Sequence, residues 1–367
     1  MKTIPFFDYQ RLYKDLKNDY IRIIDDVASR GAFILQQDLS NLEKNIAKFL
    51  GSKYSIGVGN GTDGLEICLA SLKQKKKGKI ICSAHTMLAT ASAMIMNGFT
   101  PIPVDICDDG LIDPNSIKDH IDNETVGIMP TQLNGRVCKM DEILSIANNN
   151  NLFVIEDAAQ ALGAKYKNKC AGTFGISGAI SFYPAKTLGS LGDGGVIITN
   201  CDETFDKAYQ LHEHGRDING DVKSWGRNSR LDNIQAAILD WKLTFYNETI
   251  KRRREIARRY NNNLKHLNEL LLPPAPDENE INFDVYQNYE LCASRRDELQ
   301  YFLKKNGVGT LIQWGGKALH QFDNLGLKGN LPRVEKFFLE CIMIPMNQFI
   351  SDDDVDYISE QICNFYK

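Results

Sequence analysis

The chain has 367 residues, of which 43 are Lys or Arg and 47 are Asp or Glu, so its formal net charge is −4. This balance offers no global attraction to nucleic acid or to an anionic membrane. No apolar run approaches the length of a membrane span, and the first residues contain no apolar signal core. The nine scattered cysteines are an odd number and favour reduced core thiols, so we expect a soluble, cytoplasmic protein.

Helices and strands alternate through the first half of the chain. Apolar spacing predicts helices at residues 9–30, 40–50, 62–72, 89–96 and 140–148. Short apolar runs predict strands at residues 54–58, 79–83, 125–129, 152–156, 179–182 and 195–199. The alternation favours an α/β fold whose largely parallel sheet is flanked by helices.

The second half predicts a long helix followed by a small α+β domain. The helix is expected to start at Ser229, with Asp232 placed as in a capping box, and to run to residue 267 with a break near residues 246–247. Its basic run, residues 251–254, is predicted to be a solvated face. A proline-rich connector at 272–277 precedes strands at 285–292 and 308–312 and helices at 296–305 and 353–365. We therefore expect a large domain at 1–245, including the N-terminal helices, and a small C-terminal domain at 246–367.

A glycine-rich turn lies between the first predicted strand and the following helix. Residues 58–64 read Val-Gly-Asn-Gly-Thr-Asp-Gly. Glycines let the backbone approach an anion, which the free N–H groups at a helix start can bind. The same turn contains the G-x-G-x-x-G spacing of dinucleotide-binding folds, but residues 81–85, at the end of the next strand, contain no acid for the ribose. We therefore favour a phosphate over NAD.

Two adjacent acids, Glu156 and Asp157, end a buried strand. Side chains alternate along a strand, so only one of them is expected to enter the ligand crevice at the carboxyl end of the sheet. A carboxylate at that place can pair with a protonated heterocycle. The alternative is a helix cap or a hydrogen-bond acceptor in the core.

Lys186 follows another apolar strand and lies in a loop that continues as Gly192-Asp193-Gly194-Gly195. An ordinary lysine, with a pKa near 10.4, is a poor nucleophile at neutral pH unless it is desolvated or converted to an imine. Taken alone, it could be a solvated loop lysine. Asn228 and Arg230 stand near the predicted start of the long helix, where they could either meet an anion or cap the helix.

Together these segments resemble the DegT/DnrJ-type sugar aminotransferases, a branch of the fold-type-I enzymes that use pyridoxal 5′-phosphate (PLP). The similarity rests on Ser-Phe-Tyr-Pro-Ala-Lys with the following Gly-Asp-Gly-Gly, and on Asn-Ser-Arg-Leu-Asp-Asn-Ile-Gln-Ala-Ala. The resemblance implies a large PLP-binding domain with a mostly parallel sheet and a smaller C-terminal α+β domain. It also implies that Lys186 is the catalytic residue, which holds PLP as an imine and moves the proton.

The resemblance also implies the residues that bind PLP. The predicted cofactor-binding residues are Gly61, Thr62, Met87, Asp157, Gln160, Ser181, Lys186 and Asn228. Asp157 would pair with the pyridine nitrogen and Gln160 with the ring hydroxyl, while Asn228 would reach the phosphate of a neighbouring subunit in a homodimer. Where relatives place an aromatic ring over the cofactor, this chain has Met87, with His85 two residues earlier, so which side chain covers the ring stays open.

The residues expected to contact substrate are Tyr183, Arg230, Gln313 and Trp314. Relatives often have a His-Tyr pair where this chain has Gln313 and Trp314, and core packing of Trp314 is an equal alternative. His212 and His214 form an H-x-H pair, but no third or fourth ligand is evident in the sequence, so we expect no metal site.

The resemblance implies transfer of an amino group from an amino acid, with L-glutamate as the expected donor, to a nucleotide-linked 3- or 4-keto-6-deoxyhexose. The product would serve a surface polysaccharide, such as lipopolysaccharide O-antigen, or a glycan. An unlinked keto-octulosonate is an alternative acceptor. A PLP-dependent sugar dehydratase is disfavoured because those enzymes have His where this chain has Lys186. A DNA-binding regulator is disfavoured by the acidic balance.

Overall fold

The computed structural model describes residues 2–72, 78–278 and 280–367. The strands are β1 (Tyr54–Val58), β2 (Lys79–Ser83), β3 (Thr100–Val104), β4 (Thr125–Met129), β5 (Phe153–Asp157), β6 (Lys165–Tyr166), β7 (Lys169–Cys170), β8 (Ser177–Ser181), β9 (Gly195–Thr199), β10 (Leu270–Leu271), β11 (Asn282–Phe283), β12 (Tyr289–Ala293) and β13 (Cys341–Ile344). The helices are α1 (Tyr9–Ser29), α2 (Gln37–Leu50), α3 (Gly61–Ala70), α4 (Leu88–Met96), α5 (Pro114–Asp119), α6 (Met140–Asn149), α7 (Asp202–His212), α8 (Asn233–Leu243), α9 (Tyr246–Leu264), α10 (Arg296–Lys305), α11 (Pro332–Glu340) and α12 (Asp352–Tyr366).

A large sheet organises the first part of the chain. Within the described residues it has seven strands in the order β1-β9-β8-β5-β4-β2-β3. Strand β9 pairs antiparallel with both of its neighbours, whereas the other pairs are parallel. The carboxyl ends of all the strands except β9 therefore meet at one edge of the sheet. The α/β architecture with a mostly parallel sheet is confirmed.

Helices cover both faces of this sheet. Ile80 and Ile81, neighbours on β2, show the alternation: Ile80 belongs to the core cluster that includes residues of α3 and α4, whereas Ile81 belongs to the cluster that includes residues of α2 and α6. Both side chains are fully buried. Burial on both faces explains why the parallel strands read as continuous apolar runs rather than as alternating patterns.

A second core lies in the C-terminal part, where β10, β12 and β13 form a small antiparallel sheet against α10, α12 and the end of α9. Ile4, from the N-terminal segment, also packs in this core. Tyr246 and Ile250, at the start of α9, belong to the first core. The predicted domain boundary at 245/246 thus falls at the start of a helix that contributes to both cores, and it stays a prediction.

The predicted long helix is two helices, and it begins later than expected. Helix α8 starts at Asn233 and ends at Leu243, and α9 follows after a short break at residues 244–245. The predicted start at Ser229 was wrong, because its hydroxyl accepts a hydrogen bond from the N–H of Gly59 (3.1 Å) and donates to Asp63 (2.6 Å). Ser229 therefore braces the glycine-rich turn instead of capping a helix.

Two residues of the basic run on α9 are buried, so the prediction of a solvated face was wrong for them. Arg253 and Arg254 are 5% and 7% exposed. Arg253 donates to the carbonyl groups of Tyr286 (2.8 Å) and Gln287 (2.7 Å), and Arg254 donates to that of Asp284 (2.8 Å). These guanidinium groups hold the segment before β12, and the helical spacing of the run gave no sign of such remote acceptors.

Two predicted C-terminal strands were also too long. The strand predicted at 285–292 exists only as β12, because Tyr286 takes a left-handed conformation with φ 51°. In the strand predicted at 308–312, Val308 and Leu311 form only isolated bridges. The elements that the sequence did not predict are β3, α5, α7, α11 and β13, together with the short strands β6, β7, β10 and β11.

The nine cysteines are free thiols within the described ranges, and six of them are buried as predicted, whereas Cys107, Cys201 and Cys363 are only partly buried. Among the helices of the described residues, none has a stretch long and apolar enough to cross a membrane.

Candidate active site

A cavity of about 650 Å³ opens at the carboxyl edge of the large sheet. Its lining includes Asn60, Gly61, Thr62, Met87, Thr131, Asp157, Gln160, Ser181, Tyr183, Lys186, Gln287, Asn288, Gln313 and Trp314. We call Gly61, Thr62, Asp157 and Ser181 the sheet wall, and Gln287, Asn288, Gln313 and Trp314 the C-terminal wall. The cavity lies where parallel α/β sheets generally bind ligands, and its size suits a small organic molecule.

Lys186 enters this cavity from the loop that follows β8. The N–H of Lys186 donates to the carbonyl of Tyr183 (2.8 Å), which closes a tight turn. Gly189 allows the loop to fold back, since a Cβ there would lie 2.6 Å from the carbonyl oxygen of Pro184. Burial lowers the pKa of Lys186 to about 8, against the opposing effect of the Asp157 charge. About a tenth of the amine is therefore neutral and nucleophilic at pH 7, far more than for an ordinary lysine.

Asp157 and Glu156 point to opposite faces of β5, as predicted. Asp157 lines the cavity, where it accepts hydrogen bonds from the Thr90 hydroxyl (2.6 Å) and the Ala159 N–H (3.1 Å). Burial raises the pKa of Asp157, although these hydrogen bonds and the charge of Lys186 act in the opposite direction. A cation bound in the cavity would favour the ionised form again.

Glu156, in contrast, has a structural role. Its carboxylate accepts the N–H groups of Gly172 (2.8 Å), Phe174 (2.6 Å) and Gly175 (2.9 Å), and the amide of Gln132 (2.8 Å). The side chain is fully buried. The alternative that the sequence left open, an acceptor in the core, thus applies to Glu156 and not to Asp157.

The predicted anion site forms at the start of α3. The Asn60 side chain caps the helix by accepting the N–H of Asp63 (2.8 Å), while Gly61 and Thr62 face the cavity as the first helical residues. A Cβ on Gly61 would come within 2.9 Å of the Ser181 Cβ. The helix start and Ser181 thus approach as closely as glycine permits, and the N–H groups of a helix start are free to bind an anion.

Met87 and His85 have different surroundings. Met87 lines the cavity and is half exposed. His85 is buried outside the cavity lining, with its Nδ1 2.9 Å from the Gly110 carbonyl oxygen and its ring in contact with those of Trp314 and Phe337. Of the two side chains that the sequence left open, only Met87 is therefore placed to cover a ring in this cavity.

Gln160 also lines the cavity, and its side-chain oxygen accepts the N–H of Asn134 (2.9 Å). On the C-terminal wall, the Gln313 amide donates to the side-chain oxygen of Asn134 (2.9 Å) and to the carboxyl of Glu290 (3.0 Å). Trp314 lines the cavity and packs on His85, with ring centroids 5.3 Å apart, so both of its predicted environments are present.

Two predicted residues lie outside the cavity of their own chain. Asn228 is exposed and pairs with Glu213 in an isolated bridge, and the Arg230 guanidinium forms an ion pair with the Glu213 carboxylate (3.0 Å). Their predicted contacts with phosphate and substrate stay predictions. Sequence reasoning missed Gln287 and Asn288, which line the cavity from the segment before β12 and carry no local motif.

The donor set fits the PLP that the resemblance implies. One cavity holds an amine that can be neutral, a buried carboxylate that gains from a cationic partner, and a helix start open to a phosphate. Because Gly61 has no Cβ, the helix start can lie directly against Ser181 at that end. Lys186, Asp157 and the helix start could each bind a different part of one cofactor.

Comparisons with known proteins agree with this arrangement. The family model described as the DegT/DnrJ/EryC1/StrS aminotransferase family matches residues 14–363. A Geobacillus stearothermophilus protein named pleiotropic regulatory protein is 36% identical, covering 100% of this chain and 99% of its own. A Pseudomonas aeruginosa UDP-2-acetamido-2-deoxy-3-oxo-D-glucuronate aminotransferase is 34% identical, covering 95% of this chain and 99% of its own. The crystal structure of S. venezuelae DesV with a ketimine intermediate matches with a TM-score of 0.95 at 28% identity, covering 100% of this chain and 99% of its own.

Proposed function

We propose, from the premise that this chain belongs to the DegT/DnrJ/EryC1/StrS aminotransferase family, that it moves an amino group from L-glutamate to a nucleotide-linked ketosugar. As a member of this family, the enzyme is a PLP-dependent sugar aminotransferase. The observation that carries the proposal is that Lys186 and Asp157 face one cavity, beside a helix start that can bind phosphate. A purely regulatory protein has no need for a desolvated amine opposite a buried acid.

Different residues of the chain are proposed to carry out different parts of the reaction. Bound PLP supplies an electron sink, which makes a hydrogen on the amino-bearing carbon acidic. The Lys186 Nζ takes that proton and returns it, for which a pKa of about 8 is well matched to neutral pH. The Asp157 carboxylate would keep a proton on the ring nitrogen, and Gly61, Thr62 and Ser181 would hold the phosphate. Gln160 would contact the ring hydroxyl and Met87 would pack on the ring face.

The proposed acceptor is a nucleotide-linked 3- or 4-keto-6-deoxyhexose. The C-terminal wall supports a polar ring with hydroxyl groups, because it presents the amides of Gln313 and Asn288 beside the indole of Trp314, with Tyr183 at the exposed side. The name of the P. aeruginosa relative includes a nucleotide-linked 3-oxo sugar, which supports the same class. We propose that the product serves a surface polysaccharide, such as O-antigen, and that the enzyme acts in the cytoplasm.

The proposed assembly is a homodimer that shares its active sites. Asn228 is exposed, and Trp225, three residues before it, is 96% exposed. An aromatic side chain in open solvent supports burial against a second copy, which would place Asn228 at the phosphate in the partner's cavity.

Mixing two inactive variants tests this sharing. Lys186→Ala lacks the amine and Asn228→Ala lacks the contact across the interface. After joint unfolding and refolding, mixed dimers have one intact site, so the mixture should regain about a quarter of wild-type activity. Recovery no greater than the sum of the separate variants would rule out the shared site.

The function itself is tested with the purified protein. Its visible spectrum is recorded with added PLP, and it is then mixed with glutamate and a panel of nucleotide-linked ketosugars, with an unlinked keto-octulosonate as the alternative acceptor. Amino-sugar formation by the wild type and its loss in Lys186→Ala are expected. A wild-type protein that binds no PLP would overturn the proposal, and exclusive turnover of the unlinked sugar would replace the proposed substrate.

A further inference from the structure

The loop that presents Lys186 is held by a side chain from a remote part of the chain. Gln287, in the segment before β12, is 5% exposed. Its side-chain oxygen accepts the N–H of Thr187 (2.9 Å), and its side-chain nitrogen donates to the carbonyl of Ala185 (2.8 Å). One amide thus satisfies the peptide groups on both sides of Lys186.

The backbone of Gln287 is held in turn by α9. Arg253 donates from Nε to the carbonyl of Tyr286 (2.8 Å) and from Nη2 to that of Gln287 (2.7 Å). A bidentate guanidinium contact of this kind fixes orientation as well as position. The hydrogen bonds therefore run without a break from α9, through Gln287, to the residues beside the amine.

A third contact holds the same loop from the first core. The hydroxyl groups of Thr187 and Tyr246 lie 2.6 Å apart, and the Tyr246 hydroxyl donates to the carbonyl of Leu162 (3.0 Å). Side chains from the segment before β12 and from the start of α9 thus both hydrogen-bond to Thr187, the residue after Lys186. Of these contacts, only those of Gln287 act on the two peptide groups that flank the lysine, and these groups set the direction in which its side chain leaves the backbone.

We propose that Gln287 is a positioning residue for Lys186, which aims the amine at the reacting atoms by holding the peptide groups on both sides of it. The inference rests on the proposed function. It assigns to the C-terminal part of the chain the positioning of the reacting amine, beyond shaping the substrate wall. A misplacement of about 1 Å can lower a rate by two orders of magnitude. Loss of these two hydrogen bonds should therefore lower kcat more than it weakens substrate binding.

The chain offers a matched control. Gln235 makes the same two contacts with one residue farther along the loop, accepting the N–H of Leu191 (2.8 Å) and donating to its carbonyl (3.0 Å). The variants Gln287→Leu and Gln235→Leu therefore each remove one amide that binds the loop backbone. Only the first removes contacts next to Lys186.

The experiment measures kcat and KM, the pH dependence of the visible absorption of bound PLP, and the reactivity of Lys186 in cofactor-free protein toward acetic anhydride as a function of pH, read by peptide mass spectrometry. For Gln287→Leu we expect kcat to fall about 10- to 100-fold with KM within about twofold of wild type. The midpoint pH of the change in visible absorption should differ from that of the wild type. The acetylation midpoint should rise by roughly half a pH unit or more, as water reaches the amine. Gln235→Leu should match wild type in all of these.

Gln287→Asn keeps the amide but is too short to span both contacts, so it tests the inference if the leucine variant does not fold. Changes in the same direction are expected. Wild-type-like kcat, absorption and acetylation in the Gln287 variants, or equal changes in Gln235→Leu, would overturn the inference. A wild-type protein without PLP binding would instead overturn the proposed function, while the acetylation profile would still decide whether Gln287 controls the amine.

Discussion

The sheet wall and the C-terminal wall of the cavity are built in different ways. On the sheet wall, Asp157, Gly61 and Ser181 stand at strand ends or a helix start, so regular secondary structure places them. On the C-terminal wall, Gln313 and Trp314 lie in a short irregular turn in which Trp314 has φ 48°. Side-chain hydrogen bonds, rather than backbone ladders, hold this second wall.

The centre of those hydrogen bonds is the buried carboxyl of Glu290. It accepts the amides of Asn134 (2.6 Å) and Gln313 (3.0 Å) and lies 3.5 Å from the Nε2 of His85. Burial raises the pKa of Glu290 to about 7 and lowers that of His85 to about 4, so both side chains are uncharged between these two pH values. The sheet wall is thus set by fold geometry, whereas the C-terminal wall is held by hydrogen bonds that converge on one buried acid.

The largest expected effect is on the sheet wall, in Asp157→Asn. Loss of the charge that keeps the ring nitrogen protonated should lower kcat by about 10²- to 10³-fold, with unfolding little changed. The matched control is Glu156→Gln on the opposite face, which should destabilise the fold by about 1–3 kcal/mol because three backbone N–H groups lose part of their acceptor. Steady-state kinetics and urea unfolding of both variants measure the contrast. If kcat fell equally in the two variants, Glu156 would be as important for catalysis as Asp157, and the proposed division between a catalytic and a structural acid would be wrong.

The next effect concerns the C-terminal wall, in Glu290→Gln. Between pH 4.5, where an ordinary glutamate ionises, and about 7, folded wild type keeps a proton that the unfolded chain has released. The free energy of unfolding contributed by this group therefore falls as pH rises through that window, by up to about 3 kcal/mol. The glutamine variant mimics the protonated acid and should not show this loss. Urea unfolding at pH 5 and pH 8 compares the two proteins, and parallel pH profiles would show that Glu290 is ionised throughout.

The smallest effect is expected for Trp314→Phe. The smaller ring should leave a gap beside the sugar and raise the KM for the acceptor by roughly tenfold, while PLP binding stays the same. Kinetics with a nucleotide-linked ketosugar, together with thermal unfolding, measure the change. If the melting temperature falls but KM does not, the packing of Trp314 on His85 is its whole role.

Prediction from sequence succeeded where local pattern and position at a strand end were enough. The bounds of β1, β2, β4 and β9 were predicted correctly. Lys186 and Asp157 were expected in one crevice because the ends of parallel strands meet there, and both line the cavity. Strand β3 was missed because its Pro101 and Pro103 argue against a strand, yet β3 is at the edge of the sheet, where prolines are tolerated.

The sequence by itself determined the α/β order of elements, the glycine-rich helix start, and the lysine and aspartate at strand ends, since each depends on neighbours a few residues away. Only the tertiary structure decided the rest: that Gln287 holds the loop of Lys186, that Arg253 holds Gln287, and that Glu290 supports Gln313. The hydrogen bond from Thr187 to Gln287 joins residues 100 positions apart. A buried amide or guanidinium takes its role from whichever partners the folded chain brings to it, and no local spacing in the sequence specifies them.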